Sequence, residues 1–170
     1  MSEPGPWEAA KIVSVAGGQI IGSTRLQKVG CLLDLAGAGT GFAFAYHLFG
    51  PYSEDLSIAA TDAKALNLVS IEERIASWGG RYCIYRAPVM GVEDVPASVR
   101  KLAEEAAAAD TVELELAVTA GFLAKNGYER PWEEVASRKE GKATPERLAR
   151  ARALYASFQR LNLPRALPAI

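Results

Sequence analysis

The sequence holds one histidine and two cysteines among 170 residues. That scarcity removes most metal chemistry, because closed zinc sites draw their ligands from cysteine and histidine. Cys31 and Cys83 lie on separate apolar segments with no CxxC spacing, so they read as reduced, core-filling thiols rather than a disulfide scaffold. Charge of one sign is also lacking. Nineteen Lys plus Arg stand against twenty Asp plus Glu, a formal net charge of -1, so no global cationic field gathers polyanions and generic nucleic-acid binding is disfavoured. The start, MSEPGPWEAAKIVSV, has acidic residues before its apolar run and no basic n-region, which does not read as a secretory signal; a cytoplasmic protein is expected. The longest uncharged stretch, residues 35–53, is studded with glycines and contains His47 and Pro51, so it reads as strand and turn rather than a membrane span.

Catalytic signatures are missing as well. There is no G-x-S-x-G elbow, HExxH or Walker pattern, and the neighbouring carboxylates Glu72-Glu73 and Glu133-Glu134 read as solvated surface. Any Ser-His or Cys-His arrangement must pass through His47, which no nucleophile motif accompanies. Glycines 37, 39 and 41 resemble a nucleotide-binding loop, but Phe42 stands where that pattern needs its last glycine, and a flexible connector is expected instead. No enzyme, metal or cofactor is expected on these grounds.

What is present is a composition 49% hydrophobic and 23% charged, enough for one compact domain over residues 1–170. A seam at Pro88 to Pro96 separates a helix-strand-helix-hairpin half, 1–92, from an all-helical half, 93–170. Periodicity predicts a helix from Trp7 to about Ala16, and Thr24-x-x-Gln27 reads as a capping box opening a second, carrying Leu26 and apolar almost all round. Phe42 to Tyr46 alternates as a short strand. Gly50-Pro51-Tyr52-Ser53 reads as a turn, with Pro51 holding Gly50 extended and Ser53 capping a helix from Glu54 to about Leu66. Gly79-Gly80 is expected to close a two-residue hairpin in which Trp78 faces Arg81, Ile75 faces Ile84 and Glu73 faces Arg86. Helices are then expected from Pro96 to Ala108, from Asp110 to Asn126, after Pro131, and from Thr144-Pro145 to near Pro164. The fold class is α+β, mainly α, with a winged-helix-like first half.

Two motifs, Thr24-Arg25-Leu26-Gln27-Lys28 and Tyr46-His47-Leu48-Phe49-Gly50-Pro51-Tyr52-Ser53-Glu54-Asp55-Leu56, resemble the SocA-like antitoxins, or Panacea domain, and the related YwgA-like bacterial and phage-associated proteins. Leu114 to Lys125 and Lys139 to Leu154 also look like that family's second half. Phe49 departs from the pattern, standing where these relatives often carry a second tyrosine. The resemblance implies a non-catalytic protein that binds and neutralises a toxin or effector, in some cases by presenting it to a protease.

Candidate partner contacts follow from chemistry and position: Arg25 and Lys28 on the second helix, and the aromatic cluster Tyr46, Phe49 and Tyr52 around the turn. Thr24, Leu26, Gln27, Gly50, Pro51 and Ser53 read as structural. Charge is also unevenly placed. Residues 93–134 carry four basic and ten acidic side chains, whereas 138–165 carry eight basic and two acidic. Either the basic last helix packs beside the acidic ones, or Arg147, Arg150, Arg152 and Arg160 face an acidic partner. The competing reading is a winged-helix DNA-binding regulator using Arg74, Arg81 and Arg86 on the hairpin; against it, the helix before the hairpin holds Glu54, Asp55 and Asp62 against Lys64 alone.

Overall fold

A computed structural model describes residues 3–170. The fold is α+β and mainly helical. Its first helix, α1 (Pro6–Val15), ends where Gly17 and Gly18 take φ of 97° and 95°, left-handed values that favour glycine, and the chain turns back into β1 (Gln19–Ile21). That strand was not expected: three residues between glycines are too few to show a period. Helix α2 (Ser23–Leu35) follows, with Gly22 rather than Thr24 at its N-cap and no side-chain cap. The expected Thr24–Gln27 capping box is therefore not formed, because the Gln27 amide bonds elsewhere.

The expected strand at Phe42 to Tyr46 is shifted toward the C-terminus. Strand β2 is Ala45–His47, and it pairs antiparallel with β3, Gly50–Tyr52, a segment whose Gly-Pro-Tyr-Ser chemistry predicts a turn. Phe42 is instead buried in the core and Phe44 packs against it. The turn therefore lies between the strands, at Leu48-Phe49. Gly50 has φ 87°, and a Cβ there would lie 2.5 Å from Thr119 Oγ1, so this position requires glycine on two counts. Ser53 caps α3 (Glu54–Ala65) as anticipated, its hydroxyl accepting from the Leu56 N–H at 3.2 Å.

Strands β4 (Ser70–Ile75) and β5 (Arg81–Arg86) form the expected ribbon, but in another register. Ile75 stands opposite Arg81, Glu73 opposite Cys83, and Ser70 opposite Arg86. The cause is the loop. Gly79 has φ 90° and donates to Ala76 O at 2.9 Å, while the Ala76 N–H donates to Gly80 O at 2.7 Å. This is a three-residue connection with a left-handed glycine at its last position, so Gly80 already belongs to the ladder. Strand β1 adds to the other edge of β5, giving the order β1-β5-β4.

Four helices complete the chain: α4 (Ala97–Ala108), α5 (Thr111–Lys125), α6 (Pro131–Arg138) and α7 (Pro145–Gln159). Asp110 caps α5 by accepting from the N–H groups of Val112 and Glu113, both at 3.0 Å, and Thr144 caps α7. Helix α5 is the centre of the molecule. Residues 114–121 are all buried, and α5 packs against α2, α6, α7 and β3. One buried apolar cluster runs from Ala9 to Leu167, so the seam at Pro88 to Pro96 joins two halves that share a core.

Candidate functional site

An eight-residue apolar run through a protein centre is expected to hold no charge, yet α5 places Glu115 there, with 1% of its surface exposed. A buried carboxylate needs cations or hydrogen bonds. Two lysines from the segment after α6 supply them. Lys142 Nζ lies 2.9 Å from one Glu115 oxygen, and Lys139 Nζ lies 3.7 Å from the other. A third lysine, Lys28 of α2, is also buried at 1% exposure and feels the same carboxylate. Burial lowers the Lys28 ammonium to about 8, with Glu115 opposing the shift, and burial lowers Lys139 in the same way.

The ammonium groups are used to hold the β2–β3 hairpin. Lys28 Nζ donates to Pro51 O at 2.9 Å, and Lys139 Nζ donates to Leu48 O at 3.0 Å. The Gln27 side chain adds a two-way clasp, donating to Ser53 O at 2.9 Å and accepting from the Ser53 N–H at 2.8 Å. That clasp explains why Gln27 makes no capping box. The two lysine bonds are charge-assisted, a stronger class than neutral hydrogen bonds, and here they lie largely away from water. Thr119 Oγ1, one helical turn beyond Glu115, is buried, has no hydrogen-bond partner among the described residues and packs against Gly50.

The clamps leave the hairpin tip in solvent. Leu48 is 83% exposed and Phe49 55%, and Lys142 Nζ sits 4.8 Å from the Phe49 ring centroid. Beside them Tyr46 is half-buried beneath Arg138, whose guanidinium lies 4.7 Å from that ring and 5.1 Å from Tyr128. Arg138 is oriented by Glu134 at 3.0 Å and by the Tyr128 hydroxyl at 3.0 Å. The arrangement is an apolar tip on a fixed stem, ringed by cations and aromatic faces.

The expected contact residues divide accordingly. Phe49 is at the exposed tip and Tyr46 on its flank, while Tyr52 is half-buried against exposed His47, with ring centroids 5.3 Å apart. Lys28 is enclosed and holds the turn. Arg25 ties α2 to the start of α5, donating to Ala109 O at 3.0 and 3.1 Å and to Ile21 O at 3.1 Å. On α7, Arg150 pairs with Glu113, Arg147 donates to Lys142 O, and Arg152 lies over Trp132 at 5.1 Å. The Arg160 side chain is exposed and makes no such contact among the described residues. The opposed charge blocks thus meet within the one chain, at Glu113 on the surface and at Glu115 in the core. On the ribbon, Arg74 and Arg86 both bind Glu72, at 2.8 and 2.7 Å, and Arg81 binds Glu73 at 3.0 Å, so each hairpin arginine already faces a carboxylate.

Sequence reasoning missed Glu115, Lys139, Lys142 and Leu48. One signal was present: a lone glutamate in Leu114-Glu115-Leu116-Ala117-Val118 marks a buried charge in need of a cation. Which lysines answer it is a tertiary matter. As for other chemistry, the Cys31 thiol is pushed up to about 12 by burial, far from a reactive thiolate. Among the described residues no group of three or more His, Cys, Asp and Glu is placed to hold a metal ion, and no helix is long and apolar enough to cross a membrane. No family model, curated protein or solved structure matches the chain.

Proposed function

We propose that the protein is a non-catalytic binding module, antitoxin-like or adaptor-like, that recognises a partner protein through the β2–β3 tip. The observation that carries this reading is the exposure of Leu48 and Phe49 on a hairpin that buried lysines hold in place. Holding a contact loop in its binding geometry removes the ordering cost that association otherwise carries. Exposed apolar side chains beside aromatic faces and an arginine have the composition of an interface centre. The resemblance of the two N-terminal motifs to SocA-like antitoxins supports the same reading, in which the partner is a toxin or effector and delivery to a protease is one outcome of binding.

The adjacent open reading frame provides the test. Its product is expressed alone and with this protein, and growth and co-purification are measured. Wild-type protein is expected to co-purify and relieve toxicity, and Leu48→Ser with Phe49→Ser to lose both while melting as the wild type does. Neither binding nor rescue by the wild type, or full rescue by the double variant, overturns the reading.

A further inference from the structure

Strand β4 is the open edge of the three-stranded sheet, with β5 on one side and, among the described residues, no strand on the other. Which of its backbone groups face outward follows from the ladder. The Ala76 N–H donates inward to Gly80 O, so Ser70, Glu72 and Arg74, at the same alternation, turn their groups toward β5. Ile71, Glu73 and Ile75 turn theirs outward, unpaired. Ile75 is also 71% exposed. An edge of this kind is a template for another strand.

Its side chains specify which strand. Along Ile71-Glu72-Glu73-Arg74-Ile75 the pattern is its own complement when read backwards about Glu73. The geometry points to a second copy of this chain as the occupant, with β4 pairing antiparallel to β4 of that copy about a two-fold axis at Glu73. The outward-facing groups of Ile71, Glu73 and Ile75 then form about six backbone hydrogen bonds across the axis. Each Ile75 meets Ile71 of the other copy on one face of the sheet. On the opposite face each Glu72, which already binds its own Arg74 at 2.8 Å and Arg86 at 2.7 Å, meets Arg74 of the other copy at non-hydrogen-bonded positions, so the pairs of the two copies join into one row of alternating charge across the axis. Glu73 meets itself at the axis, but each copy already binds its own Arg81 there at 3.0 Å. Moving the axis by one residue sets Glu72 or Arg74 against itself and isoleucine against Glu73. A two-fold axis normal to the sheet makes the contact isologous, so it closes at two copies instead of propagating as a fibre.

Light scattering and sedimentation of the full chain test this. The wild type is expected to be dimeric at high micromolar concentration and to dissociate on dilution. Glu72→Arg and Arg74→Glu each create two like-charge pairs and are expected to weaken the dimer at least about tenfold. Mixing the two variants restores opposite charges at both positions, so the mixture is expected to dimerise while neither component does alone. Ile75→Asp, at a position 71% exposed, is expected to behave as the single variants do, and melting transitions of each variant are measured to check that it is folded. A monomeric wild type, single variants that stay dimeric, or a mixture that stays monomeric overturns the proposal.

Discussion

The molecule carries two hairpins that end in exposed apolar side chains, and they are built on opposite principles. The β2–β3 hairpin presents the Leu48 and Phe49 side chains while its Pro51 and Leu48 carbonyls accept from buried lysines. The β4–β5 ribbon presents Ile75 and Trp78 from a stem laced by ion pairs in solvent, such as Arg81–Glu73 with side chains 73% and 58% exposed. Buried charge is costly unless fully answered, whereas exposed pairs contribute little. The first hairpin is therefore fixed by the protein core, and the second by its backbone ladder. A fixed tip suits recognition of another protein; a ladder with a free edge suits extension by another strand.

The largest expected difference concerns the charges. Glu115→Gln leaves Lys139 buried without its counter-charge and is expected to cost about 3–5 kcal/mol, read by denaturant unfolding. Glu73→Gln in the ribbon is expected to cost under about 1 kcal/mol. Equal costs would mean that the buried network does not anchor the first hairpin. Next come the glycines. Gly50→Ala meets both a left-handed φ and the Thr119 hydroxyl, and a loss of about 3 kcal/mol is expected. Gly79→Ala has the same sign of φ but open space around it, and about 1 kcal/mol is expected.

Stability against pH gives a smaller contrast. The Lys28 ammonium is held near 8 in the folded protein against an ordinary value of 10.5, so between these values the unfolded chain binds more protons than the folded one. Stability contributed at this site therefore rises as pH increases from about 8 toward 10, and the burial penalty is fully present below 8. Lys28→Met is expected to flatten that rise. In the ribbon the Glu72 carboxyl is held down to about 2 by hydrogen bonds from Arg74 and Arg86, so its contribution is present at neutral pH and lost only as pH falls below about 4 toward 2. Melting temperatures of wild type and Lys28→Met across pH 8 to 10 separate the two sites.

The helices were legible because each rule that finds them is local. Ser53, Asp110 and Thr144 cap as their chemistry requires, and the apolar periods of α1, α3 and α7 point at one core. The short strands were not. Gln19–Ile21 and Gly50–Tyr52 are too brief to show alternation, and the ribbon register turned on whether Gly80 belongs to the loop or to the ladder. Of the candidate site, Tyr46, Phe49 and the Gly50-Pro51-Ser53 stem could be picked out from aromatic clustering and turn chemistry. The clamp could not, since Lys28, Glu115 and Lys139 lie far apart in the chain and meet only when α2 and α6 both pack on α5.

The central claim, that buried lysines hold the recognition hairpin, is tested most directly by amide hydrogen exchange across the wild type and Lys28→Met. The account predicts that residues 45–53 are protected in the wild type and lose protection selectively in the variant, with β4–β5 unchanged. Exchange at 45–53 that is as fast in the wild type as in Lys28→Met would contradict it.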